Sequence, residues 1–115
     1  MSSRTRERAS QDDRLDLVFQ ALADRTRRAL LARLARKTSK VTDLAAPFNM
    51  SLPAVSRHIK VLERARLVRR TIDGRVHRCS LDAEPLHEAE AWLERYRPFW
   101  EGTLEALASY FPVKK

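Results

Sequence analysis

The stretch from Ser51 to Leu62, Ser-Leu-Pro-Ala-Val-Ser-Arg-His-Ile-Lys-Val-Leu, constrains this chain more than any other. Stepped at about 100° per residue, Val55, Ile59 and Leu62 gather on one helical face, with Leu52 and His58 at its edges. Ser56, Lys60 and Arg64 fall on the opposite face, flanked by Pro53 and Arg57. Ser51 is a suitable N-cap, and Pro53 sits in the first turn, where its missing N–H does no damage. Such a helix docks on a small core by one face and holds out a strip of long hydrogen-bond donors on the other. That layout suits a helix lying in a DNA major groove. An ordinary surface helix with a solvated charged face has the same pattern, so the flanking sequence has to separate the two.

The preceding chain reads as helices. Ser10 and Asp13 open a first one, from about Gln11 to Ala23, whose apolar stripe is Leu15, Val18, Phe19 and Leu22. Asp24 is a good N-cap for a second, Arg25 to Arg36, with Ala29, Leu30 and Leu34 inward and Leu31 beside them. Ser39 can cap a short third helix holding Val41, Leu44, Ala45 and Phe48, which Pro47 helps to stop. Asn49-Met50 then makes a tight turn. Two short helices so joined, the second basic on its outer face, form a helix-turn-helix.

Beyond Arg66 the chain has the pattern of a β-hairpin. Leu67 to Ile72 is β-prone, Asp73-Gly74 is a type I′ turn dipeptide, and Arg75 to Leu81 runs back. That turn would pair Ile72 with Arg75, Arg70 with His77 and Val68 with Cys79. Attached directly to a basic helix, the hairpin is expected to be the wing of a winged helix, its arginines reaching phosphates or the minor groove. The alternative is a plain edge hairpin whose arginines discourage aggregation.

From Glu84 to Phe111 the spacing predicts one long helix with Pro85 in its first turn. Leu86, Ala89, Leu93, Tyr96, Trp100, Leu104, Leu107 and Phe111 recur at alternating threes and fours, and a second stripe runs through Trp92, Phe99, Ala106 and Tyr110. Two apolar stripes exceed what a small domain's own core requires. One should pack on the first helix and the other on a second copy of the chain. Pro98 must kink or interrupt this helix, and the continuing apolar spacing favours a kink.

Composition agrees. Only two glycines in 115 residues argue against a sheet-rich fold, and 43% hydrophobic content suits a single globular domain. Its expected limits are residues 10–111, after a flexible basic arm over 1–9 carrying Arg4, Arg6 and Arg8, and before a tail of 112–115. The net charge of +8 calls for a polyanionic partner, most simply nucleic acid. The charge is concentrated: Arg57, Lys60, Arg64, Arg66, Arg69, Arg70, Arg75 and Arg78 face only Glu63 and Asp73, whereas residues 79–115 are net acidic. A basic block joined to an acidic helix implies one face for DNA and another for a different task.

Cys79 is the single cysteine, which excludes an internal disulfide framework, and His77 and Cys79 at i, i+2 lack a third metal ligand nearby. No secretory signal precedes the domain and no apolar run approaches the ~20 residues of a membrane span, so a cytoplasmic chain with no membrane role is expected. There is no nucleophile paired with a base, no phosphate-cradling glycine loop and no carboxylate pair, so no enzymatic activity, cofactor or metal is expected.

In this order and spacing the residues resemble the ArsR/SmtB family of bacterial winged-helix transcriptional repressors, over roughly residues 15–111. The resemblance rests on Ala21-Leu22-Ala23-Asp24-Arg25-Thr26-Arg27-Arg28, on Val41-Thr42-Asp43-Leu44-Ala45, on the whole of Ser51 to Leu62, and on the hairpin tip Asp73-Gly74-Arg75. It implies a homodimer held by the first and last helices, over 11–23 and 84–111, with each fourth helix in one half of an inverted-repeat operator. Metal sensors of the family often carry Cys-x-Cys before Asp-Leu, where this chain has Lys40 and Thr42, neither a soft ligand. The last helix offers His87 and several glutamates but no repeated histidine spacing, and its Trp92…Tyr96-Arg97…Phe99-Trp100 pattern looks like a non-metal branch.

The expected architecture is therefore mainly α: four helices, a two-stranded wing and a long C-terminal dimerisation helix. The expected DNA contacts are Ser51, Pro53, Ser56, Arg57, His58, Lys60 and Arg64 from the basic helix, with Arg70, Arg75 and Arg78 from the wing. Leu15, Val18, Phe19, Leu93, Tyr96, Trp100, Leu104, Leu107 and Phe111 are the expected dimer contacts. Double-stranded DNA and a second copy of the chain are the expected partners. The aromatic residues leave an unidentified small-molecule effector open, and a metal- or redox-responsive sensor and an RNA-binding winged helix are the competing readings.

Overall fold

The computed structural model describes residues 3–102, with side chains from residue 10 onward. Its elements run α1 (Ser3–Leu22), α2 (Arg25–Arg36), β1 (Ser39–Lys40), α3 (Val41–Ala45), α4 (Leu52–Arg64), β2 (Val68–Asp73), β3 (Val76–Leu81) and α5 (Glu84–Glu94). The sheet is antiparallel in the order β1-β3-β2.

Local signals set most of these limits. α2 starts where Asp24 accepts a hydrogen bond from the Arg27 backbone N–H at 2.9 Å, and α4 starts where the Ser51 hydroxyl accepts from the Ala54 N–H at 3.3 Å. α1 departs from expectation. It begins at Ser3, not near Gln11, so the segment expected as an arm is continuous with the first helix. Missing apolar periodicity does not prevent a helix from forming. Arg4 to Ala9 contains good helix formers and no Gly or Pro.

Ser39 does not cap α3. It lies in β1, opposite Cys79, and its hydroxyl donates to the Lys37 carbonyl at 3.0 Å. Lys40 precedes α3 without a side-chain cap, and the sheet has three strands instead of two. The last helix is interrupted, not kinked. α5 ends at Glu94, Arg95 and Tyr96 form a turn, and helix resumes over 97–102. Pro98 has no N–H to give the Glu94 carbonyl, which is where the ladder stops.

The core lies between α2, α3, α4, the sheet root and the middle of α1. Leu30, Leu44, Val55, Ile59, Leu62, Leu67 and Cys79 are fully buried in it, each aliphatic side chain worth on the order of 2 kcal/mol. Mostly helical, with a helix-turn-helix followed by a β-hairpin, this is a winged helix.

α4 ends without the usual glycine. The Leu67 N–H donates to the Leu62 carbonyl at 3.0 Å and the Arg66 N–H to Glu63 at 2.9 Å, a Schellman closure with Arg66 in the left-handed position at φ 61°. A side chain there costs about 1 kcal/mol relative to glycine. Arg66→Gly should therefore raise the urea midpoint at unchanged slope by about that amount of stability. A lowered midpoint would mean that the arginine side chain more than repays its backbone strain.

Candidate nucleic-acid interface

The interface is assembled around α4. Its Val55, Ile59 and Leu62 face is fully buried, as the periodicity predicts, so the opposite face must look outward. Arg57, Lys60 and Arg64 are all exposed there, and among the described residues none of the three makes an ion pair or side-chain hydrogen bond. Ser51 and Pro53 are exposed at the leading end, and Ser56 is half-buried. Long cations left unpaired side by side repel one another until a polyanion arrives.

His58 is placed differently. Its ring is 20% exposed, and Nδ1 accepts a hydrogen bond from Arg27 at 3.3 Å while lying 3.8 Å from the Asp24 carboxylate. It belongs to the joint that holds α4 against α2, not to the outward strip. Position 58 lies at the edge of the apolar face, and α2 covers that edge. The backbone hydrogen bond from Arg27 holds the Asp24 carboxyl below the usual aspartate range, with the charge of Arg27 adding to it.

The wing also differs from expectation. The register pairs Ile72 with His77, Asp73 with Val76 and Arg70 with Cys79, so the turn residues are Gly74 and Arg75 instead of Asp73 and Gly74. Gly74 takes φ 62° at the first central position, which places the one residue without a Cβ penalty where the reversal needs it. Arg75 is thereby carried to the tip, fully outside the ladder and exposed.

Arg70 is engaged within the protomer. Its side chain is 15% exposed and grips Glu63 of α4, with Nη2 and Nε donating to Oε1 at 2.6 and 3.1 Å and Nη1 donating to His77 Nδ1 at 3.1 Å. It staples the wing to α4. Arg78 alternates with the buried Cys79 and so lies on the other sheet face, in register with Lys40 on one side and Thr71 on the other. That face is turned away from the core, and Arg78 is exposed on it.

Between α3, the start of α4 and the wing lies a hollow of about 480 Å³ whose lining includes Lys40, Thr42, Leu52, Ser56 and Arg75. Leu52, 47% exposed, sits beside Ser56 here, so an apolar side chain joins the donors on the outward surface. Lys40, Thr42 and Leu52 are absent from the sequence-derived set. The Leu52–Ser56 spacing of four is a usable signal, whereas Lys40 enters only because β1 pairs with β3.

The expected dimer contacts divide. Val18 is 1% exposed and Leu15 partly buried, both packed in or against the protomer's own core, which removes Val18 from any interface. The side of α1 that meets the core is narrower than its apolar stripe. Phe19, Leu93, Tyr96, Phe99 and Trp100 are exposed on α1, α5 and the segment after it, while Leu17 is exposed on another flank of α1, beside Arg64 to Arg66. Phe19 meets Trp92 edge-on at 5.7 Å between ring centres, and Trp92 meets Tyr96 at 5.1 Å. Leu104, Leu107 and Phe111 lie outside the described residues.

Cys79 is fully buried, and burial raises its thiol pKa. Among the described residues, no group of three His, Cys, Asp or Glu side chains could hold a metal ion, and no helix is long and apolar enough to cross a membrane.

Comparison with known proteins matches the same region. A helix-turn-helix domain model covers residues 22–71. The chain is 42% identical over 93 residues to the HTH-type transcriptional regulator Rv2034 of Mycobacterium tuberculosis, covering 81% of this chain and 84% of that protein. It is 32% identical over 76 residues to the transcriptional repressor SdpR of Bacillus subtilis, covering 66% and 84% respectively. Among solved structures, an ArsR family transcriptional regulator superposes with a TM-score of 0.73 at 44% identity, over 78% of this chain and 93% of that one. An ArsR-like transcriptional regulator from Rhodococcus sp. RHA1 superposes with a TM-score of 0.68 at 28% identity, over 91% and 99%.

Proposed function

The chain belongs to the ArsR/SmtB family of winged helix-turn-helix transcriptional regulators, and from that premise we propose that it is a homodimeric repressor reading an inverted-repeat operator. The observation that carries this reading is the two-sidedness of α4: one face is spent on the core, and the other presents Arg57, Lys60 and Arg64 without partners among the described residues. Arg57 and Lys60, with Ser56, enter the major groove of one half-site. Arg75, at the tip of the wing, reaches the flanking phosphates. Leu52 supplies apolar contact of the kind a thymine methyl accepts. Phe19, Leu93, Tyr96 and Trp100 meet the same residues of a second copy, since a two-fold dimer uses one patch twice.

A duplex enriched from a random pool by the purified protein provides the test. Arg57→Ala should weaken binding to that duplex by about 1–3 kcal/mol more than binding to an unrelated one, as loss of a base contact requires. Arg75→Ala should instead lower affinity for both and flatten the dependence of log affinity on log salt by about one unit. Equal losses on both duplexes for Arg57→Ala would reassign it to the backbone, and failure of the pool to enrich any duplex would end the proposal.

A further inference from the structure

One guanidinium occupies the junction where the dimer-forming helix α1 meets the DNA-reading half of the molecule. The last turn of any helix leaves carbonyls without partners inside the helix. Arg27, in the first turn of α2, takes two of them: Nε donates to the Ala21 carbonyl and Nη2 to the Gln20 carbonyl, both at 2.8 Å. Arg28 takes a third, donating from Nη1 to Leu22 at 2.7 Å. The remaining arm of Arg27, Nη1, reaches α4 and donates to His58 Nδ1 at 3.3 Å. The Arg27 backbone N–H meanwhile donates to Asp24, whose carboxylate is the one 3.8 Å from His58.

Asp24, Arg27 and His58 thus close a joint between the end of α1, the start of α2 and the inward edge of α4. A planar guanidinium with donors in a fixed fork is a stiff connector, because its three contacts cannot be re-aimed independently. In a two-fold dimer held through α1 and α5, the angle between α1 and α4 within each protomer sets the distance between the two reading helices. That distance selects the spacing of half-sites.

We propose that Arg27 is a positioning residue for operator recognition: by tying the carboxyl end of α1 to His58, it fixes the half-site spacing that the dimer accepts. The proposal rests on the dimeric DNA-binding reading above.

Its test uses the duplex enriched by the wild-type protein, together with versions whose half-sites are moved one or two base pairs closer or farther. Fluorescence anisotropy reads the affinity for each. The wild type should prefer the enriched spacing, and Arg27→Gln should lose about tenfold of that preference while keeping its non-specific affinity and dimeric state. His58→Leu cuts the same joint from the other side and remains informative if Arg27→Gln fails to fold. It should show the same loss, the double variant should lose no more than either single one, and His58→Gln, which restores an acceptor, should recover most of the preference. A spacing preference within about twofold of wild type in His58→Leu, or fully additive losses, would overturn the proposal. If the wild type enriches no duplex, it is the DNA-binding reading that fails, and this inference falls with it.

Discussion

Leu93→Glu is expected to leave each protomer folded and to separate the proposed dimer. Leu93 is 42% exposed in the protomer, so a carboxylate there is solvated and costs the single chain little. In a two-fold interface the same change occurs twice, and each carboxylate is taken out of water without a cationic partner supplied for it. Burying an unpaired charge costs about 3–5 kcal/mol, which corresponds to a dissociation constant raised by a hundredfold or more. Sedimentation at micromolar concentration should show monomer for the variant and dimer for the wild type. Affinity for a two-half-site duplex should fall in parallel, while the far-ultraviolet circular dichroism stays unchanged. A variant that sediments as the wild type does would place the dimer contact elsewhere.

The second large effect separates two adjacent residues of α4. Ile59 is fully buried at the centre of the docked face, whereas Lys60 is exposed. Ile59→Ala should cost about 2–5 kcal/mol, from lost transfer energy and the cavity left behind. For a domain whose whole stability is about 5–15 kcal/mol, that amounts to a melting temperature lower by roughly 10–20 °C. Lys60→Ala should alter stability by no more than about 0.5 kcal/mol and weaken DNA binding instead. Thermal melts of the two variants side by side make the comparison. A mild effect at Ile59 would mean that α4 is not seated on the core by this face.

The contrast between those neighbours is legible in the sequence alone, because a period of 3.6 assigns residues to faces without reference to the rest of the chain. The same local logic places α2 at Arg25–Arg36 behind its Asp24 cap and opens α4 after Ser51. Pro98 marks a disruption in the last helix, but whether the chain bends or stops there depends on the backbone around Glu94. The apolar spacing favours a kink, and the backbone overrules it. Charge counting identifies the basic block but not its division. Arg70 and Arg75 read alike in sequence, yet one is locked to Glu63 and the other stands at the turn.

What the sequence by itself determined is the amphipathic reading helix, its caps and the polyanion-seeking charge around it, all of which depend on residues within a turn or two of one another. The tertiary structure alone decided the hairpin register that moves Arg75 to the tip, the pairing of Ser39 and Lys40 with Cys79 and Arg78, and the burial of Val18. It also decided the engagement of His58 with Arg27 and of Arg70 with Glu63. Each of these depends on which distant segments compete for the same core and the same hydrogen-bond partners, and His58 meets Arg27 only once α2 and α4 have packed.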